Sequence, residues 1–278
     1  MRKRGVVAFL VLAFGVTWGM EVVVSRVFGL SLANPLPQLS FAFVPALAAV
    51  VVRRWVTREG FGDAGLRPRF RAAWRYYLIA WFGPLGLLAA GVLTAVALGL
   101  YRPDPAALSR IVPGVPGPAL VGGLLLLVVV LTPLYWGEEF GWTSYLRLRI
   151  LPGRPAAATL VTGLVWAVWH FPLAFLGYVT YSNVVLGLLL WTTGFLCQEV
   201  MLTWLRLRSG SIWTTSLAHA GNNMVLSFLA SGLLTAAGGL DDLIVMPVMQ
   251  VPQVAVCAWI LLSRRYRGAP VPALSTNR

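Results

Sequence analysis

Apolar runs recur along the whole chain, each interrupted by a short polar or arginine-rich stretch. Those near 5–25, 38–52, 76–101, 117–147, 156–177, 184–205, 211–232 and 243–263 predict eight membrane-crossing helices. A helix needs roughly 20 apolar residues to cross a hydrocarbon core, so the second run is short and the fourth is long. Lipid-facing backbone must satisfy its own hydrogen bonds, and no ten-residue alternation suggests a barrel. The expected fold is therefore all-α: a polytopic membrane protein of about eight helices, forming one integral membrane domain over residues 1–278. No internal repeat is evident.

Composition agrees with this pattern. Of 278 residues 58% are hydrophobic and 11% are charged, with a mean hydropathy of +0.78. A soluble domain carries about a quarter charged residues, so an ordinary soluble enzyme is excluded. The net charge of +13 raises the question of nucleic acid, and the placement of the cations answers it. With the basic N-terminus inside, nineteen of the 22 fall on one side: Arg2 to Arg4, seven arginines between Arg53 and Arg75, Arg147, Arg149, Arg154, Arg206, Arg208, and Arg264, Arg265, Arg267 and Arg278 in the tail. Only Arg26, Arg102 and Arg110 fall on the other. Membrane proteins concentrate Lys and Arg in cytoplasmic loops, so both termini are expected in the cytoplasm and no nucleic-acid partner is implied. The first run is read as a retained helix in preference to a signal peptide cut near Ser31–Ala33. Residues 53–75 interleave arginines with Trp55, Phe61, Phe70 and Trp74 and read as a cytoplasmic loop lying on anionic headgroups. Arg outnumbers Lys 21 to 1, a bias expected of a GC-rich bacterial genome and hence of an inner-membrane protein. Cys197 and Cys257 lie within apolar runs and imply no disulfide framework.

The informative residues are the polar ones inside those runs, because ionisable groups in hydrocarbon are costly and default to functional candidates. The fourth run contains Glu138 and Glu139, the fifth Trp166 and His170, and the seventh His219, Asn222 and Asn223. Both histidines of the chain are thus intramembrane. At about 1.5 Å per residue, Glu138 lies roughly 14 Å from Arg147, His219 roughly 16 Å from Arg208 and His170 roughly 24 Å from Arg154. These layers overlap, so the groups are able to meet. His219 and Asn223 share a helix face at i, i+4, a spacing suited to holding an oxyanion. Paired carboxylates suit general acid–base work. Glu199 is expected to snorkel or pair near the interface, or otherwise to line the same cavity, and Glu21 to sit at the outer interface near Arg26.

Together these residues resemble the CPBP family of intramembrane proteases, which includes the type II CAAX prenyl endopeptidases. The family motifs are E-E-x-x-x-R, aromatic-x-x-x-H and H-x-x-x-N on separate helices. Glu138–Glu139, Trp166 to His170, and His219 to Asn223 match them in order, placing the family core at about 118–232. The departure is Thr143, which stands where the first motif has Arg. The resemblance implies hydrolysis of a peptide bond in a membrane-bound, in some members prenylated, peptide or protein, cut near its cytoplasmic end. It casts Glu138 as general base on a water that His170 helps hold, His219 and Asn223 as the oxyanion site, and Glu139 as the residue that positions Glu138. No cofactor is expected in this reading. The metal-dependent alternative would use Glu138, His170 and His219 on Zn2+ or another divalent ion. Two other classes stay open: a non-catalytic immunity or scaffold protein on the same fold, which Thr143 favours, and a transporter or proton relay, against which stands the lack of inverted repeats.

Overall fold

A computed structural model describes residues 2–263, so the tail cations from Arg264 onward lie outside the described residues. The described chain is helical throughout, with no strand. Helix α1 is Arg2–Val22, α2 Pro35–Val51, α3 Phe70–Ala97, α4 the short Ala107–Ile111, α5 Gly117–Gly141, α6 Arg147–Ile150, α7 Pro155–Phe175, α8 Val184–Ser209, α9 Ile212–Gly221, α10 Phe228–Ala230 and α11 Asp242–Leu262. Several of these continue without a break through wider π-helical turns, notably Val52–Val56 after α2, Trp142–Leu146 between α5 and α6, and Asn222–Ser227 after α9.

Local chemistry sets the ends. Asn34, Asn183, Ser211 and Asp241 precede α2, α8, α9 and α11, and each side-chain oxygen accepts a backbone N–H of the first turn. Gly210 ends α8 in the left-handed conformation at φ 68°, which a residue with a Cβ adopts only under strain.

Among the described residues seven helices are long and apolar enough to cross a membrane, including Gly117–Ile150 as one continuous span. The eighth expected span, 211–232, is present as an unbroken helical stretch from Ile212 to Ala236. Its Thr, Ser, His and Asn residues lower its hydropathy, and it is built inside the bundle: every residue from Ser211 to Gly221 except Trp213 is buried. Two boundaries shift. The third span begins at Phe70 and not near 76, and the fourth runs on to Ile150 because the polar residues that seemed to end it are enclosed by protein.

Helix α5 lies at the centre, against α2 on one side and α9 on the other, while α7 packs on α8, α8 on α11, and α3 on α9 and α11. Small residues allow the closest of these approaches, as expected where lipid gives no hydrophobic drive to association. A Cβ at Gly137 would strike the backbone of Ala42, and one at Gly141 would strike Pro45. Gly137→Ala is therefore expected to destabilise the α2–α5 contact by about 1–3 kcal/mol, the usual penalty for overpacking. Thermal unfolding of the purified protein tests this, and an unshifted midpoint would show that α2 yields freely.

The basic end differs from its reading as a simple headgroup-facing loop. The region 53–75 is helical up to Val56, runs as a loop over 57–69, and re-enters helix at Phe70. Arg54, Arg58, Arg67, Arg69, Arg71 and Arg75 are exposed, as are Trp55, Phe61, Phe70 and Trp74, but Arg53 is wholly buried. Asp63, also buried, accepts Arg53 on one carboxylate oxygen at 2.8 Å and Arg149 on the other at 2.8 Å. Its backbone carbonyl accepts Arg206 at 2.8 Å. Glu59 takes a further bond from Arg149 at 2.9 Å, and Arg53 also donates to the Ser144 carbonyl at 3.2 Å. Four of the cations counted as orientation signals, Arg53, Arg147, Arg149 and Arg206, are thus interior groups, and Arg53, Arg149 and Arg206 fasten the loop to the turn after α2, to α6 and to α8.

Candidate active site

The three motif helices do converge. Glu138 and Glu139 lie in the last turn of α5, where consecutive positions point about 100° apart and so meet different neighbours. The indole Nε1 of Trp166, on α7, donates to Glu138 Oε2 at 2.8 Å. His219 Nδ1, on α9, lies 2.9 Å from Glu139 Oε1. One turn along, Asn223 Nδ2 donates to the hydroxyl of Tyr135 at 3.2 Å. Because α5 and α9 run in opposite directions, Glu139–His219 and Tyr135–Asn223 form successive rungs between them. His170 Nδ1 stands 3.0 Å from the carbonyl oxygen of Trp166, with the rings of Phe195 and Trp169 at 4.4 Å and 4.7 Å. Trp166 also packs edge-on against His219, centroids 5.1 Å apart. Glu139 is fully buried, and Glu138 and His219 are buried, while His170 and Asn223 are partly accessible.

These contacts constrain the protons. A carbonyl oxygen only accepts, so the proton on neutral His170 sits at Nδ1 and its Nε2 is an acceptor. Glu138 Oε2 is occupied by the Trp166 indole, which leaves Oε1 to receive a proton. For His219 to donate from Nε2, the Glu139–His219 pair must hold two protons between them, one in their shared bond and one on Nε2. The set can then offer two acceptors, Glu138 and His170, and two donors, His219 and Asn223. That is the complement needed to activate a water and stabilise a tetrahedral oxyanion.

The residues of this core have relatives. Positions 118–225 match a family described as type II CAAX prenyl endopeptidase Rce1-like, a segment running from the second residue of α5 to just beyond Asn223. Over this stretch the chain is similar to the CAAX-type proteases. No curated protein matches it. The membrane-length apolar helices agree with a polytopic membrane protein of that kind.

Within this core, some expectations need correcting. His219 Nδ1 is held by Glu139 and His170 Nδ1 faces the Trp166 carbonyl, so in each ring Nε2 is the nitrogen left for a ligand or substrate. Among the described residues no group of three His, Cys, Asp or Glu side chains is placed to hold a metal ion. Thr143, at the motif's Arg position, gives its hydroxyl to the backbone carbonyl of Glu139 at 2.8 Å. Glu199 does not snorkel: it is fully buried and accepts a bond from Thr203 at 2.9 Å. Glu21 is likewise buried, at 1% exposure, and does not sit beside the exposed Arg26. Two contributors escaped the sequence reading. Tyr135 has a usable signal, since it precedes Glu139 by four residues and so shares its face. Gln198, which accepts from Asn222 at 2.9 Å, has none beyond its polarity.

Proposed function

We propose that this protein is an intramembrane endopeptidase working through glutamate-activated water. The carrying observation is the paired anchoring of the two glutamates, Glu138 by Trp166 and Glu139 by His219, which assigns the neighbours different tasks. Glu138 takes the proton of a water that His170 Nε2 helps orient, and the resulting hydroxide attacks the peptide carbonyl. His219 Nε2–H and Asn223 Nδ2–H stabilise the oxyanion. Glu138 then returns the proton to the leaving amine, which completes hydrolysis. Glu139 keeps His219 protonated where donation is needed. The substrate is a membrane-bound peptide or protein, and the reading carries with it the basic end facing the cytoplasm of a bacterial cell.

The test compares membrane peptides by mass spectrometry from cells producing wild type or Glu138→Gln protein at equal levels. New peptide ends that require Glu138 are expected. Identical peptide profiles would sink the protease reading and favour a non-catalytic scaffold.

A further inference from the structure

Helices α5 and α8 run in the same direction, each ending at the basic face, and they carry the same series of side chains. On α5 and its continuation these are Glu139, Thr143 and Arg147; on α8 they are Glu199, Thr203 and Arg206. All six are at most 5% exposed. The threonines bond different acceptors, Thr143 Oγ1 the backbone carbonyl of Glu139 at 2.8 Å and Thr203 Oγ1 the carboxylate Oε1 of Glu199 at 2.9 Å. The arginines lean toward the π-helical turn between α5 and α6: Arg147 Nε reaches the Thr143 carbonyl at 3.2 Å and Arg206 Nε the Ser144 hydroxyl at 3.4 Å. Glu199 packs against α7 where Gly163 leaves room, its Cβ 3.2 Å from the place a Cβ would occupy, three residues before Trp166. It is in electrostatic reach of both Glu139 and Arg147.

The π-turn decides which way Arg147 faces. In a regular α-helix, eight residues rotate about 800°, leaving Arg147 roughly 80° away from Glu139. The backbone N–H of Arg147 instead bonds the carbonyl of Trp142, five residues back. One extra residue in a turn takes back about 100°, so Arg147 returns to within roughly 20° of the Glu139 face. Oε2 of Glu139 and of Glu199 have no hydrogen-bond partner among the described residues; Glu139 faces His219, whereas charge on Glu199 must be offset by a nearby cation.

We propose that Glu199 is a positioning residue of the site, and that Arg147 is the cation balancing Glu199, in place of the motif arginine replaced by Thr143. This rests on the protease reading above. It explains why a Thr at 143 is compatible with a working pair of glutamates: the cation sits one turn later, rotated into line by the π-turn, with a second carboxylate from α8 beneath it.

The test uses full-length protein in detergent and a quenched fluorogenic peptide spanning a Glu138-dependent cleavage site. Glu199→Gln should lower kcat about tenfold at unchanged KM, with Glu199→Asp restoring most of it. Arg147→Met should lower kcat about 100-fold, because it strands the buried Glu199 carboxylate. Adding Glu199→Gln or Thr143→Arg to Arg147→Met should recover at least half of that loss on a logarithmic scale. Wild-type kcat in Glu199→Gln, or a double variant whose loss is the product of the single losses, would overturn the proposal. Thermal unfolding of the same variants gives a second reading: the added Glu199→Gln should raise the midpoint of Arg147→Met, and a further fall would overturn the charge balance. If wild type cleaves nothing while unfolding shows this recovery, the protease reading fails and the charge balance stands.

Discussion

Glu138→Gln is expected to abolish measurable cleavage, with kcat falling by about 10²–10⁴-fold, the span attributed to a general base. The amide retains the shape of the side chain and an oxygen for the Trp166 indole, so helix packing and expression should be preserved. What it lacks is a place for the proton of the attacking water. His219→Ala is expected to fall by about 10²–10³-fold, as for loss of one oxyanion donor. Glu139→Gln discriminates between roles: its amide N–H donates to His219 Nδ1 and so still holds the imidazole proton at Nε2. It should therefore turn over far faster than His219→Ala and leave KM near wild type. Steady-state kinetics of the three variants checks the assignment. Full turnover by Glu138→Gln would remove its role, and a Glu139→Gln enzyme as slow as His219→Ala would show that the donor is an imidazolium balanced by the Glu139 carboxylate.

The largest stability effect is expected at Asp63, far from the reacting groups. Its two carboxylate oxygens hold Arg53 and Arg149 in the interior at 2.8 Å each. Taking away one member of a buried pair leaves an uncompensated charge, which costs about 3–5 kcal/mol, and here two guanidinium groups lose the same acceptor. Asp63→Ala should lower the unfolding midpoint strongly and reduce the amount of folded protein recovered from membranes. Asp63→Asn should be milder, since its remaining oxygen still serves one arginine. Arg54→Ala, on the exposed side of the same loop, should change stability by less than about 0.5 kcal/mol. A near-normal midpoint for Asp63→Ala would mean that water enters the cluster and replaces the carboxylate.

The contrast between Arg53 and Arg54 also shows where sequence reading stops. Hydrophobic run length finds the helices, because a lipid-spanning helix must be about as long as the bilayer is thick. Motif order finds Glu138, Glu139, His170, His219 and Asn223, because few residues of those types occur inside apolar runs. What charge counting misses is which arginines face inward. Arg53 and Arg54 are neighbours in a basic stretch, and only the fold distinguishes the buried partner of Asp63 from the exposed cation beside it. The same blindness applies to Glu199, since depth along α8 is readable from spacing but the rotation toward α7 is not. Local period fails at Arg147 too. A π-turn changes the angular count by one residue, and no simple pattern in Trp142–Leu146 announces it.

Every residue from Gly137 to Arg149 is buried, and this stretch includes two carboxylates and two guanidinium groups. Charged side chains at the middle of a lone helix disfavour insertion by about 2.5–3.5 kcal/mol each. The first part of the span, from Gly117 to about Leu134, is apolar enough to be accepted by lipid alone, whereas the remainder has no compatible surroundings until α7, α8 and α9 have been made. Biogenesis must then proceed in two stages, with the apolar part anchoring first and the glutamates docking late against later-synthesised helices. A ribosome-stalled chain ending before α8 should therefore hold its glutamates in contact with water or the insertion machinery, and the site comes into being only when the last third of the protein closes around it.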